Sequence, residues 1–184
     1  IKKAGNPNAY NREPFSKTEV AKLWDVKDSN IYYTVILMLI YTGCRIGELL
    51  DLKKENVNLE ERYFKIVASK TAAGIRTAPI SEKVYPFFEY WYNLNDCEYL
   101  LSTPEGEHFK YRNYYDSYWS PLIETLGMKH RPHDTRHTCI SMLTVAGVSD
   151  KVIKKIVGHK GQGVTEVVYT HFEIEELIDA INKI

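Results

Sequence analysis

The sequence predicts a mainly helical domain carrying one small antiparallel sheet of three strands, an α+β architecture. Helical periodicity with recognisable start and stop signals fills most of the chain, and between residues 57 and 80 it gives way to short β-favouring runs. A length of 184 residues with 44% apolar and 26% charged residues suits a single sizeable core.

The first helix is signalled by Ser16-Lys17-Thr18-Glu19, which has capping-box spacing, with Phe15 and Val20 placed as a hydrophobic staple. It should start at about Lys17 and end near Asp25. Residues 31–41 are apolar on every face and are followed by Gly43 as a stop, which marks a helix inside the core. A short amphipathic helix follows over 46–52. Strands are expected at 57–59, 63–68 and 75–80, and helix again from 81 to 93. Residues 99–102 read as a further short strand, and 111–126 as a helix that Pro121 kinks or divides. The remaining helices are 134–146 stopped by Gly147, 150–157 stopped by Gly158, a short one around 164–169, and 174–182.

Residues 1–14 begin with Ile1 and are rich in Asn, Gly and Pro, and read as a linker severed from a larger protein. Residues 15–172 form the expected domain. In the tail, 173–184, Ile174, Leu177, Ile178, Ile181 and Ile184 lie at helical spacing, a stripe that must bury somewhere.

The 24 Lys and Arg balance the 24 Asp and Glu, which at first argues against a nucleic-acid partner. The distribution is polarised, however. Residues 129–160 hold seven Lys or Arg against two Asp, whereas 161–184 hold five acids against one Lys. Cys44, Cys97 and Cys139 are odd in number and lack CxxC spacing, which disfavours a disulfide framework and a structural zinc site. The apolar run at 31–41 is too short to span a bilayer and no signal peptide opens the chain, so a cytoplasmic location without a membrane partner is expected.

Four local patterns carry chemistry: Tyr41-Thr42-Gly43-Cys44-Arg45-Ile46-Gly47-Glu48-Leu49; Lys70 between two strands; His133-Asp134-Thr135-Arg136-His137; and Gly158-His159 followed by Tyr169-Thr170-His171. Arginine offers a planar fork that matches phosphate oxygens, and histidine a charge state adjustable near neutral pH. Arg45 sits at a junction between two helices with Glu48 one turn on, and His137 lies one turn beyond His133. In this order and spacing the set resembles the tyrosine recombinase family of phage and transposon integrases, from Phe15 to nearly the end of the chain.

The resemblance implies the tyrosine recombinase catalytic-domain fold and a reaction without metal, ATP or other cofactor. A tyrosine oxygen attacks a DNA phosphodiester, giving a 3′-phosphotyrosyl linkage and a free 5′-hydroxyl. Tyr169 would be the nucleophile, and Arg45 and Arg136 the phosphate clamp. His133 and His159 would hydrogen-bond the phosphate and assist proton transfer, and Lys70 would be the general acid, although Lys65 lies on the same hairpin. Glu48 and His137 would support them. Ten positions separate His159 from Tyr169, one more than in many relatives. The implied partners are double-stranded DNA and other copies of the chain, a tetramer on DNA and a monomer as an isolated fragment, with an accessory directionality factor left open. Three alternatives stand beside this: a type IB topoisomerase, a DNA-binding module without catalysis, and a zinc hydrolase using His133 and His137. The last fits poorly, since Asp134 is shorter than the Glu such a motif needs and Arg136 would stand beside the metal.

Overall fold

In the computed structural model, which describes residues 12–158 and 171–184, the framework is helical around one three-stranded antiparallel sheet. This is the architecture the sequence predicts. Helix α1 (Lys17–Val26) starts where the capping box places it: Ser16 Oγ accepts from Glu19 N–H at 3.1 Å and Glu19 Oε2 accepts from Ser16 N–H at 2.8 Å. All residues of α2 (Tyr32–Thr42) are buried, and α1, α4 (Tyr85–Asn93) and α7 (His133–Val145) pack around it. At roughly 1.5–3 kcal/mol for each large aliphatic side chain withdrawn from water, this helix anchors the core. It ends at Gly43, whose φ of +67° is a left-handed cap that a side chain would strain.

The sheet runs in the order β1 (Val57–Asn58), β2 (Tyr63–Ile66), β3 (Arg76–Pro79), with Phe64 opposite Ala78 and Ile66 opposite Arg76. In β2 Phe64 and Ile66 are buried and Lys65 is exposed, the alternation of a half-covered strand. Every residue of β3 is buried, because α8 (Asp150–Val157) and α9 (His171–Ile181) pack against this edge strand. Arg76 therefore lies where β3 opens, at the foot of the turn that carries Lys70.

Some boundaries differ from the sequence reading. Helix α3 (Ile46–Leu50) is shorter than expected, and α9 starts three residues before position 174. The strand expected at 99–102 is only a single bridge between Lys53 and Tyr99, supported by Leu100 N–H donating to Leu52 O at 2.8 Å. The helix expected over 111–126 divides into α5 (Tyr111–Tyr114), a π-helical turn at Tyr115–Trp119, and α6 (Ser120–Thr125) with Pro121 in its first turn. The short helix expected at 164–169 lies outside the described residues. Leu177, Ala180, Ile181 and Ile184 of the tail are buried on the chain's own domain, and Asn182 Oδ1 accepts from Glu82 N–H at 2.9 Å. Among the described residues no helix is long and apolar enough to cross a membrane.

Candidate active site

The site is assembled where three helix ends meet the open end of the β2–β3 hairpin. Arg45 is the residue before α3, and its own backbone is fixed by Glu48, whose Oε2 accepts from Arg45 N–H at 3.0 Å. The same carboxylate turns back on the side chain: Arg45 Nη1 lies 3.0 Å from Glu48 Oε1, and about a third of the arginine side chain stays exposed. Glu48 is thus a positioning group for Arg45, one turn away as the spacing suggests.

Helix α7 brings His133 and Arg136 in on adjoining turns. Arg136 is 1% exposed. Its Nη1 donates to Gly43 O at 3.0 Å and also to Val157 O, so the guanidinium ties the end of α2 to the end of α8. Its Nη2 is buried and has no hydrogen-bond partner among the described residues. Burial lowers the Arg136 pKa to about 10, with Arg45 and Arg76 adding repulsion. His133 is half-buried, and its pKa falls to about 4: burial is the main cause, followed by Arg12, His137, Arg136 and Arg45. At neutral pH it is an uncharged imidazole in a strongly cationic setting. The His137 ring meets it edge-on, with centroids 5.1 Å apart. Among the described residues no group of three His, Cys, Asp or Glu could hold a metal ion.

Lys70 is exposed, in the turn between β2 and β3, whereas Lys65 sits within β2 opposite Thr77. His159 and Tyr169 lie outside the described residues. Gly158, the stop before them, has φ +72° and receives the end of α8.

The sequence reading assigned no role to Arg76, which is 3% exposed and central to the geometry. Its Nη2 and Nη1 lie 3.0 and 3.2 Å from the two Glu48 oxygens, and its Nε donates to Ile156 O at 2.8 Å. One carboxylate therefore holds two arginines. Burial pushes the Glu48 carboxyl up, but hydrogen bonds and charge from Arg76 and Arg45 outweigh it and hold the group below the usual range. The available signal was a cation inside a run of strand residues, Arg76-Thr77-Ala78-Pro79, where an exposed side chain alternates with a buried one in most half-covered strands.

The expected basic surface over 129–160 is smaller than the charge count suggests. Arg136 is internal, Lys154 pairs with Asp150 at 2.7 Å, and Lys155 pairs with Glu173 of the tail at 3.4 Å. Lys129, Arg131 and Lys151 remain exposed.

Buried and half-buried arginines beside a neutral histidine, on a helical frame with one small sheet, form an arrangement whose chemistry suits an anion. The family model described as "Phage integrase family" matches residues 15–176, and the chain belongs to that family. It is 29% identical to the tyrosine recombinase XerA of Pyrococcus horikoshii, over 98% of this chain and 65% of that protein. The Tn1549 transposon integrase in complex with a circular intermediate DNA superposes with a TM-score of 0.73 at 20% identity, over 83% of this chain and 59% of that one. A lambda integrase tetramer bound to a Holliday junction gives a TM-score of 0.66 at 15% identity, over 87% and 50%. The chain spans less than two thirds of the length of each of these relatives.

Proposed function

We propose that this chain is the catalytic portion of a site-specific DNA recombinase that cuts and rejoins strands through a 3′-phosphotyrosyl intermediate. The observation that carries the reading is the anion clamp itself: Arg136, buried with one guanidinium nitrogen unpartnered among the described residues, beside Arg45 and an uncharged His133. Two arginine forks neutralise charge on the non-bridging oxygens as the phosphorus becomes five-coordinate, a contribution of about 3–4 kcal/mol for each donor lost in comparable anion holes.

In the reaction, the Tyr169 oxygen forms a bond to phosphorus and gives up its proton, for which neutral His133 or His159 is the acceptor. The bond from phosphorus to the 5′-oxygen breaks, and Lys70 supplies the proton that the departing oxygen takes up. The free 5′-hydroxyl of another strand reverses these steps and completes the exchange. Glu48 and His137 hold Arg45 and His133 in place.

Residues 15–172 would form this catalytic domain and 1–14 its link to DNA-binding domains. Duplex DNA and three further copies are the partners the reading requires; the tail of 173–184, seated on its own domain in the single chain, would have to leave that seat to be exchanged between copies. The relatives are named as recombinases and integrases, which favours strand exchange over topoisomerase-like relaxation.

The experiment is incubation of the full-length protein with nicked duplexes carrying its candidate site, followed by denaturing electrophoresis. A covalent protein–DNA adduct is expected from the wild type and none from Tyr169→Phe. Adduct formation by Tyr169→Phe would overturn the assignment. Arg45→Ala and Arg136→Ala should slow adduct formation by on the order of 100-fold or more, compared in preparations whose near-ultraviolet spectrum shows the fold retained.

A further inference from the structure

The turn that carries Lys70 is braced within itself only on its second half, by a 3-10 turn in which Gly74 N–H donates to Thr71 O at 2.9 Å and Ile75 N–H to Ala72 O at 3.1 Å. Val67, Ala68, Lys70, Ala72 and Ile75 are all exposed, with Val67 at 61% and Ile75 at 54%. What ties the two limbs to the rest of the domain is one buried pair beneath them. On the first limb Ser69 Oγ donates to Glu48 Oε1 at 3.5 Å, and on the second Gly74 O accepts from Arg76 Nη1 at 2.8 Å. The limbs are pressed together so closely that a Cβ on Gly74 would lie 1.9 Å from Ser69 Oγ.

Arg76 and Glu48 are joined by bonds of 3.0 and 3.2 Å, and each reaches beyond the turn. Glu48 fixes Arg45, while Arg76 Nε holds the last turn of α8 through Ile156 O. Apolar side chains of the same volume would fill this space without desolvating two charges. What they could not do is fix direction, which a guanidinium fork on a carboxylate does.

We propose that Arg76 is a positioning residue: clamped on Glu48, it holds the β2–β3 turn so that Lys70 stands beside the phosphate that Arg45 and Arg136 grip. The inference rests on the recombinase reading above, in which Lys70 passes a proton to the 5′-oxygen as its bond to phosphorus breaks. A substrate whose leaving group needs no proton should therefore be indifferent to Arg76.

The test uses full-length protein and nicked duplexes bearing the candidate site, in two versions: an ordinary scissile phosphodiester, and one with sulfur in place of the bridging 5′-oxygen. A thiolate leaves without a proton. Lys70→Ala should form adduct on the order of 100-fold more slowly on the oxygen substrate and at close to the wild-type rate on the sulfur one. Arg76→Lys should show the same selective loss. Equal slowing on both substrates, no slowing on either, or a Lys70→Ala protein without selectivity would overturn the proposal. Should Arg76→Lys lack a folded near-ultraviolet spectrum, Gly74→Ala, a change at the buried contact with Ser69 between the two limbs, takes its place and must show the same selectivity; equal rates or equal losses there also overturn it. Failure of the recombinase reading looks different: the wild type then forms no adduct on either substrate, or Tyr169→Phe forms one.

Discussion

Arg76 Nη2 and Glu48 Oε2 lie 3.0 Å apart with only 1% and 6% of their side chains exposed, so removing either partner strands a charge away from water. Glu48→Ala is expected to cost about 3–5 kcal/mol. For a domain of this size that lowers the melting temperature by roughly 6–20 °C, measurable by circular dichroism. A drop below about 2 °C would mean the pair behaves like an exposed one. The pH dependence has a definite sign. The folded Glu48 carboxyl lies below its ordinary value of 4.5, so the unfolded chain takes up its proton first as the pH falls. Its contribution is complete above pH 4.5 and is lost as the pH drops through the folded value. Acid titration of stability should be shallower in Glu48→Ala than in the wild type.

His133 gives a second pH signature, over a different window. Its folded pKa of about 4 lies below the ordinary 6.5, so between those values the unfolded chain binds the proton and the folded one does not. Stability from this group is full above pH 6.5, falls as the pH drops toward 4, and changes no further below that. Nuclear magnetic resonance of the imidazole should show a midpoint near 4 in the free protein. Because burial is the leading cause and Arg45 a lesser one, Arg45→Ala should raise the midpoint while leaving it under 6.5. A wild-type midpoint at 6.5 would remove the cationic, half-dry setting on which the clamp depends.

The features legible in the sequence were those written in local residue chemistry. The Ser16 and Glu19 capping box, the Gly43 and Gly158 stops, and the alternation of Phe64, Lys65 and Ile66 each act within a few residues, and each appears where the pattern puts it. Arg45 and Glu48 were legible for the same reason, being one turn apart. What escaped was set by distant parts of the chain. Residues 99–102 have strand composition but only Lys53 to bridge to, and composition does not report the partner. The π-helical turn at Tyr115–Trp119 leaves no trace in apolar periodicity. The structural role of Arg76 escaped because α8 and Glu48, which close around it, are distant in the chain; Arg136 was assigned to the clamp, but its ties to Gly43 and Val157 were not legible. A tally of lysines and arginines measures charge without measuring burial.

An anion should stabilise the clamp. Arg136 is buried and repelled by Arg45 and Arg76, so part of the folding free energy opposes its charge. A bound sulfate or phosphate removes that opposition. At ten times its dissociation constant such a ligand adds about 1.4 kcal/mol, or roughly 3–6 °C in melting temperature. Sulfate also strengthens apolar burial in any protein, so the informative quantity is the difference from Arg45→Ala at equal ionic strength. The wild type should rise further than Arg45→Ala. Equal rises would show that sulfate acts only through the solvent.

The start of α1 is bolted to the start of α7, the helix that carries His133 and Arg136, and the bolt is mostly Phe15. Its ring stacks on His130 with centroids 3.8 Å apart, and its backbone N–H donates to Thr138 Oγ1 at 2.8 Å. His130 is held in turn between Glu19 Oε2 at 2.9 Å and Asp134 Oδ2 at 3.0 Å, while its carbonyl accepts from Trp119 Nε1 at 3.0 Å. Two effects compete here, apolar stacking and a polar bridge, and their magnitudes separate them. Truncating a buried phenylalanine costs about 3–5 kcal/mol, whereas losing a capping-box residue costs about 1 kcal/mol. Phe15→Ala should therefore lower the melting temperature several times more than Glu19→Ala. The reverse order would make the carboxylate bridge, rather than the ring, what joins the two helix ends.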